Sequence, residues 1–192
     1  MTATYKDHLA LVTGANKGLG RATARRLGAL GMTVLIGSRD PGRGAETVAE
    51  LVEHGLDARL LVLDVTDESS VRAAATSIGR NHGRLDVLVN NAGIASPRRA
   101  PLEITADDMR LVYGTNVFGV VTVTRLMLPL LERAAHPRIV MVSSGLASLG
   151  LASLGPDSPY ARYISVAYGS SKTALNAVTC STPTRCGIGT RS

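Results

Sequence analysis

Aromatic residues are scarce in this sequence, which contains no tryptophan and one phenylalanine, so that aromatics make up 3% of its 192 residues. Hydrophobic residues nevertheless account for 45% of the chain. We therefore expect an interior packed mainly from alanine, valine, leucine and isoleucine. Length and composition together predict one globular domain rather than a disordered chain.

Cysteine is also rare, and both cysteines, Cys180 and Cys186, lie within the last thirteen residues. They cannot form a disulfide framework for the domain. A strand-like apolar run begins at Leu9, with no signal peptide before it. These features predict a cytoplasmic protein, and no metal site is expected.

The net charge is +6, but no block of basic residues interleaved with aromatics accompanies it. Because the arginines are scattered among acids, we do not expect nucleic acid as a partner. A net positive charge also suits the binding of a small polyanionic ligand such as a phosphorylated cofactor. The long apolar stretch 112–131 contains Asn116 and Arg125, which favours a buried helix over a membrane span.

Short aliphatic runs alternate with longer amphipathic segments. Strands are predicted over residues 9–13, 33–36, 58–63, 85–89 and 138–142, and helices over 18–30, 41–54, 67–81, 106–134 and 160–179. Asp67, and Thr105 with Asp108, offer start signals for two of these helices. This alternation indicates βαβ units, with a parallel sheet covered on both faces. We predict a single Rossmann-like, doubly wound α/β domain over residues 1–179.

A glycine-rich turn joins the first predicted strand to the first predicted helix. Its glycines permit a tight turn and a close approach of the backbone to a pyrophosphate, while the helix N-terminus presents free N–H groups. The spacing G-x-x-x-G-x-G differs from the usual dinucleotide fingerprint, so a turn without a ligand stays open as an alternative. The predicted cofactor contacts here are Gly14, Asn16, Lys17, Gly18, Leu19 and Gly20.

The end of the second predicted strand carries residues that would select the cofactor. An acid at this place binds the ribose 2′-hydroxyl of NAD, whereas an arginine accommodates the 2′-phosphate of NADP. The sequence has Arg39 and Asp40 there, followed by Arg43, with Lys17 in the preceding turn. We predict NADP(H) rather than NAD(H), with Asp40 as a cap of the next helix. The alternative is that the arginines are solvated surface residues.

Tyr168 and Lys172 are four residues apart and therefore share one face of a helix. A nearby ammonium favours phenolate and lowers the pKa of a tyrosine hydroxyl, which normally titrates near ~10. Tyr168 is thus a candidate proton donor and acceptor. By itself the pair is weak, because exposed helices often carry this spacing.

Five motifs follow one another along the chain: the glycine turn, Asn90-Asn91-Ala92-Gly93, Asn116, Ser143-Ser144 and Tyr168-x-x-x-Lys172. Together, over residues 8–179, they resemble the short-chain dehydrogenase/reductase family. The resemblance implies that Ser144 is the catalytic serine, Tyr168 the general acid/base and Asn116 the residue that supports a proton relay through water. It implies that Lys172 binds the nicotinamide ribose and lowers the tyrosine pKa. The further implied cofactor contacts are Asp64, Val65, Asn90, Ala92, Gly93, Tyr168 and Lys172.

The implied activity is that of an oxidoreductase using NADP(H) to interconvert a carbonyl and a secondary alcohol, so the expected partner is a small carbonyl or alcohol substrate. In reduction, negative charge develops on the carbonyl oxygen, and hydroxyls of Ser144 and Tyr168 would stabilise that charge and supply the proton. The alternatives are a regulatory nucleotide-binding protein without turnover and, on charge alone, a nucleic-acid binder.

The stretch between Ser144 and Tyr168 is longer than the usual family spacing. Its surplus, around residues 150–162, has the composition of a loop, and such loops over active sites are often lids. Similar insertions occur in the carbonyl-reductase-like branch, some members of which are monomeric. Helices 106–134 and 160–179, however, resemble those that form family dimers, so a homo-oligomer and a monomer both stay open.

The C-terminal segment 180–192 also departs from the family pattern. Pro183 would interrupt the helix, and few apolar residues follow it. We expect a disordered tail and the absence of the last strands of the family fold, which leads to the hypothesis of a truncated or frameshifted gene. The fifth strand would then be an exposed sheet edge, and the chain a catalytically impaired NADP-binding fragment.

Overall fold

The computed structural model describes residues 5–95, 100–158 and 165–181 of the chain. The strands in these ranges are β1 (Leu9–Thr13), β2 (Thr33–Ser38), β3 (Ala58–Val62), β4 (Val87–Asn90) and β5 (Arg138–Met141). They form one parallel sheet in the order β3-β2-β1-β4-β5. The predicted Rossmann-like fold is confirmed.

Helices connect the strands and cover both faces of the sheet. They are α1 (Gly18–Ala29), α2 (Pro41–Glu53), α3 (Glu68–Asn81), α4 (Ala106–Tyr113), α5 (Val120–Leu131), α6 (Leu149–Ala152) and α7 (Val166–Ser181). A π-helical segment, Gly114–Gly119, joins α4 to α5, so that Ala106–Leu131 is one continuous helix. Short 3₁₀ turns occupy Pro101–Glu103, Gly145–Ala147 and Gly155–Asp157.

Successive residues of β1 point to opposite faces of the sheet and enter two separate cores. Leu9 and Leu11 belong to the core under α3 and α5, whereas Ala10 and Val12 belong to the core under α1 and α2. Both cores are built from aliphatic side chains and methionine. The prediction of an interior with little aromatic content is therefore confirmed.

Two predicted helix starts coincide with observed caps. Thr105 accepts a hydrogen bond from the backbone N–H of Asp108 (3.2 Å), and the Asp108 carboxylate accepts one from the N–H of Thr105 (3.0 Å). The Asp67 carboxylate accepts a hydrogen bond from the N–H of Ser69 (2.8 Å) at the start of α3. Each cap satisfies amides that lack a partner inside the helix.

The long helix Ala106–Leu131 ends three residues before the predicted 134 and contains the π-helical segment, which was not predicted. Its length and mean hydropathy of 1.4 are sufficient for a membrane span, although core helices of globular proteins meet the same criterion. Val123 and Met127 are fully buried against the sheet and α3, whereas Phe118 is 60% exposed. The prediction of a buried helix therefore holds for one face.

The helix predicted over 160–179 differs from α7 at both ends. Ser165 is not helical, so α7 begins at Val166, and residues 160–164 lie outside the described residues. The helix continues through Cys180 and Ser181, which were predicted to belong to the tail. Proline disfavours helical conformation in the residue directly before it, so Pro183 does not prevent a helix that ends at 181. Residues 182–192 lie outside the described residues.

β1 has its predicted bounds, whereas the other four strands each differ from the predicted bounds at one or both ends by one or two residues. β2 continues to Ser38 instead of ending at 36, and β4 begins at Val87 instead of 85. The N–H of Leu85 bonds to the carbonyl oxygen of Leu130 in α5 and not to a strand. Apolar patterns in the sequence therefore locate the strands but not the exact residues at which they begin and end.

Candidate active site

The carboxyl ends of β1, β2 and β4 open into a cavity of about 630 Å³. Open parallel sheets bind ligands at this edge. Most of the predicted cofactor contacts line the cavity, namely Gly14, Asn16, Lys17, Gly18, Leu19, Gly20, Arg39, Arg43, Asp64, Val65, Ala92 and Gly93. The structure thus brings together residues that are up to 79 positions apart in sequence, as between Gly14 and Gly93.

The glycine turn between β1 and α1 has no room for side chains at two positions. Gly14 has a φ of +62°, and a Cβ there would lie 2.9 Å from the Cα of Ala92. A Cβ at Gly20 would lie 2.6 Å from the carbonyl oxygen of Gly14. Lys17 is the N-cap of α1 and makes no side-chain capping bond. A bare backbone cradle with uncapped helix amides fits the pyrophosphate of a dinucleotide.

Three exposed cations, Lys17, Arg39 and Arg43, line the same cavity. Asp40 lies among them and caps α2, as predicted, by accepting a hydrogen bond from the N–H of Arg43 (3.1 Å). The Arg43 side chain also lies 3.4 Å from the Asp40 carboxylate. The acid is therefore engaged with its own helix, while Arg39 and Lys17 form no ion pair within the described part of the chain and line the cavity.

Asp64 and Val65 follow β3 and form a further part of the cavity wall. The Asp64 carboxylate accepts hydrogen bonds from the N–H (2.9 Å) and the hydroxyl (2.7 Å) of Thr66. The carbonyl oxygen of Val65 would lie 2.9 Å from a Cβ at Gly119. This wall therefore rests directly on the π-helical segment.

A buried chain of hydrogen bonds connects the π-helical segment to α7. Asn116 is completely buried; its Oδ1 accepts from the N–H of Ile94 (2.9 Å), and its Nδ2 donates to the carbonyl oxygen of Ile94 (3.0 Å). The same Nδ2 donates to the hydroxyl of Ser171 (3.0 Å), which in turn donates to the carbonyl oxygen of Tyr168 (2.7 Å). Because every member is satisfied, the chain fixes the start of α7 against the loop after β4.

Lys172 is 4% exposed and lies between the loop after β4, the end of β5 and Tyr168. Its Nζ donates to the carbonyl oxygen of Val142 (2.7 Å) and lies 5.8 Å from the centre of the Tyr168 ring. A Cβ at Gly93 would lie 3.6 Å from this Nζ. Burial lowers the pKa of the Lys172 ammonium below its ordinary value. The predicted pair is thus assembled beside Gly93, a residue of the cavity wall.

Ser144 follows β5 and is half-buried. Its hydroxyl oxygen accepts a hydrogen bond from the N–H of Leu146 (3.2 Å) and so caps the 3₁₀ turn Gly145–Ala147. This turn packs on α7, since a Cβ at Gly169 would lie 3.3 Å from the carbonyl oxygen of Leu146. Ser144 and Tyr168, which precedes Gly169, are therefore carried by adjoining segments.

A second cavity, of about 300 Å³, lies between the 3₁₀ turn, α6 and α7. Its apolar lining comes from Leu146, Leu149, Leu151, Ala152 and Val166. These residues include part of the predicted insertion, whose remaining residues 159–162 lie outside the described residues. The stretch that was predicted as loop contains α6 and the 3₁₀ turn Gly155–Asp157.

A family model described as short chain dehydrogenase matches residues 8–185 of the chain. The chain belongs to the short-chain dehydrogenase family. Among the curated relatives, the short-chain dehydrogenase anuI of Penicillium roqueforti is 38% identical over 184 residues, covering 93% of this chain and 72% of the relative. Carbonyl reductase (NADPH) 1 of Homo sapiens is 40% identical over 153 residues, covering 78% and 53%. Retinol dehydrogenase 14 of Mus musculus is 40% identical over 152 residues, covering 73% and 45%.

This short-chain dehydrogenase spans about half the length of the last two relatives. Solved structures of the family superpose on it. A gluconate 5-dehydrogenase from Burkholderia cenocepacia, in complex with NADP and tartrate, has a TM-score of 0.81 at 28% identity and covers 97% of this chain and 70% of its own. A family member from Burkholderia phymatum in complex with NAD has a TM-score of 0.77 at 30% identity, covering 93% and 59%. Members of the family thus bind NADP or NAD.

Asn90, predicted as a cofactor contact of this short-chain dehydrogenase, has its side chain in the interior and does not line the cavity. It is 2% exposed, and its Nδ2 donates to the hydroxyl of Thr124 (3.0 Å) and to Met141 Sδ (3.3 Å). Asn91 lines the cavity instead, with its Nδ2 donating to the carbonyl oxygens of Thr13 (2.8 Å) and Gly14 (3.2 Å). The reason is the alternation of strand side chains, which sends adjacent residues to different sides.

Thr13 connects two segments of the cavity wall by hydrogen bonds, but it was not predicted as a site residue from the sequence. Its hydroxyl oxygen accepts hydrogen bonds from the N–H groups of Asn91 (3.0 Å) and Ala92 (2.9 Å) and donates to the carbonyl oxygen of Val89 (3.3 Å). A polar residue at the end of an otherwise aliphatic strand was the available signal. Thr13 thereby joins the glycine turn to the loop after β4.

Proposed function

We propose that this chain is an NADP(H)-dependent oxidoreductase that interconverts a carbonyl and a secondary alcohol, with Tyr168 as the general acid/base. The observation that carries this proposal is the position of Lys172. Its buried ammonium lies between the Tyr168 ring and Gly93, and Gly93 is a residue of the wall of the nucleotide cavity. A buried ammonium beside a tyrosine ring is expensive, and a structural role does not require it there.

The choice of NADP(H) over NAD(H) rests on charge. Lys17, Arg39 and Arg43 line one cavity, and Asp40, the acid that would bind a ribose 2′-hydroxyl, caps α2 and faces Arg43. Arginine and lysine suit a 2′-phosphate. A relative at 40% identity is named as a carbonyl reductase that uses NADPH, which supports the same cofactor here.

The chemistry of the proposed reaction divides between cofactor and protein. A bound nicotinamide supplies or accepts the hydride. The hydroxyls of Ser144 and Tyr168 donate hydrogen bonds to the substrate oxygen, where negative charge develops during reduction, and Tyr168 transfers its proton to that oxygen. In alcohol oxidation, Tyr168 takes the proton back. The Lys172 ammonium favours the negative charge left on the tyrosine oxygen.

Asn116 acts on the proposed reaction through position. Both polar atoms of its amide are occupied by Ile94 and Ser171, and the side chain is fully buried. It therefore orients the loop after β4 and the start of α7, and the predicted relay through water stays a prediction. The apolar second cavity beside Ser144 favours a substrate with an apolar substituent.

The test is oxidation of NADPH, followed by absorbance, against a panel of aldehydes and ketones. We expect turnover by the wild type and a loss of roughly 10²–10⁴-fold in the Tyr168→Phe variant, the usual contribution of general acid–base catalysis. Tyr113→Phe is the matched control, because Tyr113 is half-buried on α4 and packs near Phe118. Turnover that survives in Tyr168→Phe would refute the assigned role.

Cofactor preference is measured in the same assay with NADH in place of NADPH. Replacing Arg39 and Arg43 together by alanine should weaken NADPH binding and leave NADH binding almost unchanged, because only NADPH carries the 2′-phosphate. Arg72→Ala, on the exposed face of α3, is the control for loss of positive charge. Equal weakening with both cofactors would contradict the proposed phosphate site.

A nucleotide-binding protein without turnover is the second candidate function. The observation in its favour is that the nucleotide cavity is lined by the predicted phosphate and ribose contacts, whereas Ser144, Tyr168 and Lys172 are not among its lining residues. It predicts that NADPH fluorescence reports binding while no carbonyl on the panel is reduced. Turnover in the first assay would exclude it.

A further inference from the structure

Two side chains of α7 contact the segment that carries Ser144, one on each side of this serine. The hydroxyl of Thr173 lies 2.9 Å from the carbonyl oxygen of Ala147, three residues after Ser144, and 3.2 Å from that of Gly169 in its own helix, and we take the nearer oxygen as its acceptor. The hydroxyl of Ser143, the residue before it, donates to Oδ1 of Asn176 (2.6 Å). Neither Thr173 nor Asn176 belongs to the motifs of the site described above.

The two contacts differ in their exposure to water. Ala147 is 4% exposed and Thr173 is half-buried, so their hydrogen bond is partly shielded. Ser143 and Asn176 are both exposed, so water competes for their hydrogen bond and its contribution is smaller. We therefore expect Thr173 to have the larger effect.

Segment 143–147 packs on α7 at Gly169, and its described hydrogen bonds to that helix are the two made by Thr173 and Asn176. The sheet ladder of β5 ends with the hydrogen bond from the N–H of Val142 to the carbonyl oxygen of Asn90 (3.1 Å). Lys172 reaches the carbonyl oxygen of Val142 but no residue beyond it among its described contacts. The position of Ser144 relative to α7 therefore depends on the contacts that follow Val142.

We propose that Thr173, supported by Asn176, is a positioning residue. It fixes where the Ser144 hydroxyl lies along the axis of α7, and thereby its separation from the Tyr168 hydroxyl. This inference rests on the proposed function, because it concerns how two hydroxyls meet one substrate oxygen. Tyr168 lies on α7 itself, so any shift of segment 143–147 along this helix changes the separation of the two hydroxyls. Misplacement of a reacting group by about 1 Å can cost as much as 10²-fold in rate.

The first test compares Thr173→Val with Thr173→Ser. Valine keeps the shape of threonine but cannot donate to Ala147, whereas serine keeps the donor and loses a methyl group. We expect kcat for carbonyl reduction to fall roughly tenfold or more in Thr173→Val, with the Kd for NADPH unchanged, and to be largely retained in Thr173→Ser. Thermal unfolding is measured in parallel, at an assay temperature well below the midpoint of every variant.

The second test is a double-mutant cycle on Ser143→Ala and Asn176→Ala. If their hydrogen bond acts as a unit, kcat in the double variant equals kcat in either single variant, because each substitution already removes the contact. Additive losses would show that the two side chains act separately and would contradict their assigned role.

The outcomes separate this inference from the proposed function. An active wild type whose kcat is unchanged in Thr173→Val would refute the positioning role alone. The same conclusion follows if Thr173→Val and Thr173→Ser lose kcat equally, or if kcat falls only with the folded fraction. A wild type that binds NADPH but reduces no carbonyl would refute the proposed reaction and, with it, the positioning role.

Discussion

Lys172 is the residue at which function and stability oppose each other most directly. Its ammonium is almost completely buried, and its described hydrogen-bond partner is a neutral carbonyl oxygen, that of Val142. A buried charge without a charged partner destabilises the folded state. The lowered pKa of this group expresses the same cost, because the folded protein favours the neutral amine more than the unfolded chain does.

The stability of the protein should therefore depend on pH through Lys172. Below the lowered folded-state pKa, both states are protonated and the full cost of burial is present. As pH rises from that value to 10.5, the ordinary pKa of lysine, the unfolded chain holds more protons than the folded one, so stability increases. We predict that Lys172→Met raises the free energy of unfolding near pH 7, measured by urea denaturation, by on the order of 1 kcal/mol, and that this gain shrinks toward pH 10.

Lys6→Met is the matched control for this measurement, since Lys6 is exposed and its replacement should change the urea midpoint little at any pH. A gain from Lys172→Met that is constant between pH 7 and 10 would show that lost charge burial is not its cause. A lower midpoint at pH 7 would show that the hydrogen bond to Val142 outweighs desolvation.

At the scale of single elements, the sequence predicts most of what the structure contains. Strands such as Leu9–Thr13 were found because parallel strands covered on both faces are continuously apolar. The turn after β1 was found because closely spaced glycines between a strand and a helix indicate a tight turn. Both signals come from residues that are adjacent in sequence, so they can be recognised without knowing which elements pack together.

Features that depend on contacts between distant elements could not be predicted. The π-helical segment Gly114–Gly119 places Asn116 against Ile94 and Ser171. It has a glycine at each end, which the flanking helices lack, but glycines do not by themselves indicate a π-helix. Whether the side chain of Asn90 or that of Asn91 faces the cavity depends on the exact residue at which β4 ends. A pattern that locates strand ends to within two residues cannot decide which of two adjacent side chains faces the cavity.

The glycine turn makes a prediction at this scale through two glycine-to-alanine variants. A Cβ at Gly20 would meet backbone atoms of the turn, including the carbonyl oxygen of Gly14 at 2.6 Å, so the turn must open. We expect Gly20→Ala to lower the free energy of unfolding by roughly 1–3 kcal/mol, the usual cost of overpacking, and to abolish NADPH binding as measured by fluorescence.

Gly114→Ala is the matched variant, because Gly114 has right-handed helical dihedrals and no atom within 4 Å of its Cβ position. It should raise the free energy of unfolding by about 0.4–1 kcal/mol, since alanine restricts the unfolded chain, and leave the NADPH affinity unchanged. Loss of NADPH binding in both variants would indicate a general effect of substitution and not closure of the cradle.

At the scale of the whole molecule, two apolar surfaces stay exposed within the described ranges. β5 pairs with β4 alone, and Val140 on this edge strand is 46% exposed, in agreement with the predicted open edge. The second surface is the outer side of the helix Ala106–Leu131, where Leu111, Phe118 and Val121 are 60%, 60% and 43% exposed. Apolar patches of this kind mark surfaces of association.

We expect a homodimer through the long helix, because Leu111, Phe118 and Val121 expose three large apolar side chains along it. Such a face can pack against its own copy about a two-fold axis. Phe118→Asp should therefore shift the mass measured by light scattering from dimer to monomer. Leu102→Asp is the control, since Leu102 is fully exposed in the 3₁₀ turn Pro101–Glu103 and does not belong to the long helix. A dimer that survives Phe118→Asp but dissociates in Val140→Lys would place the contact at the β5 edge instead, where a charged side chain blocks pairing of strands.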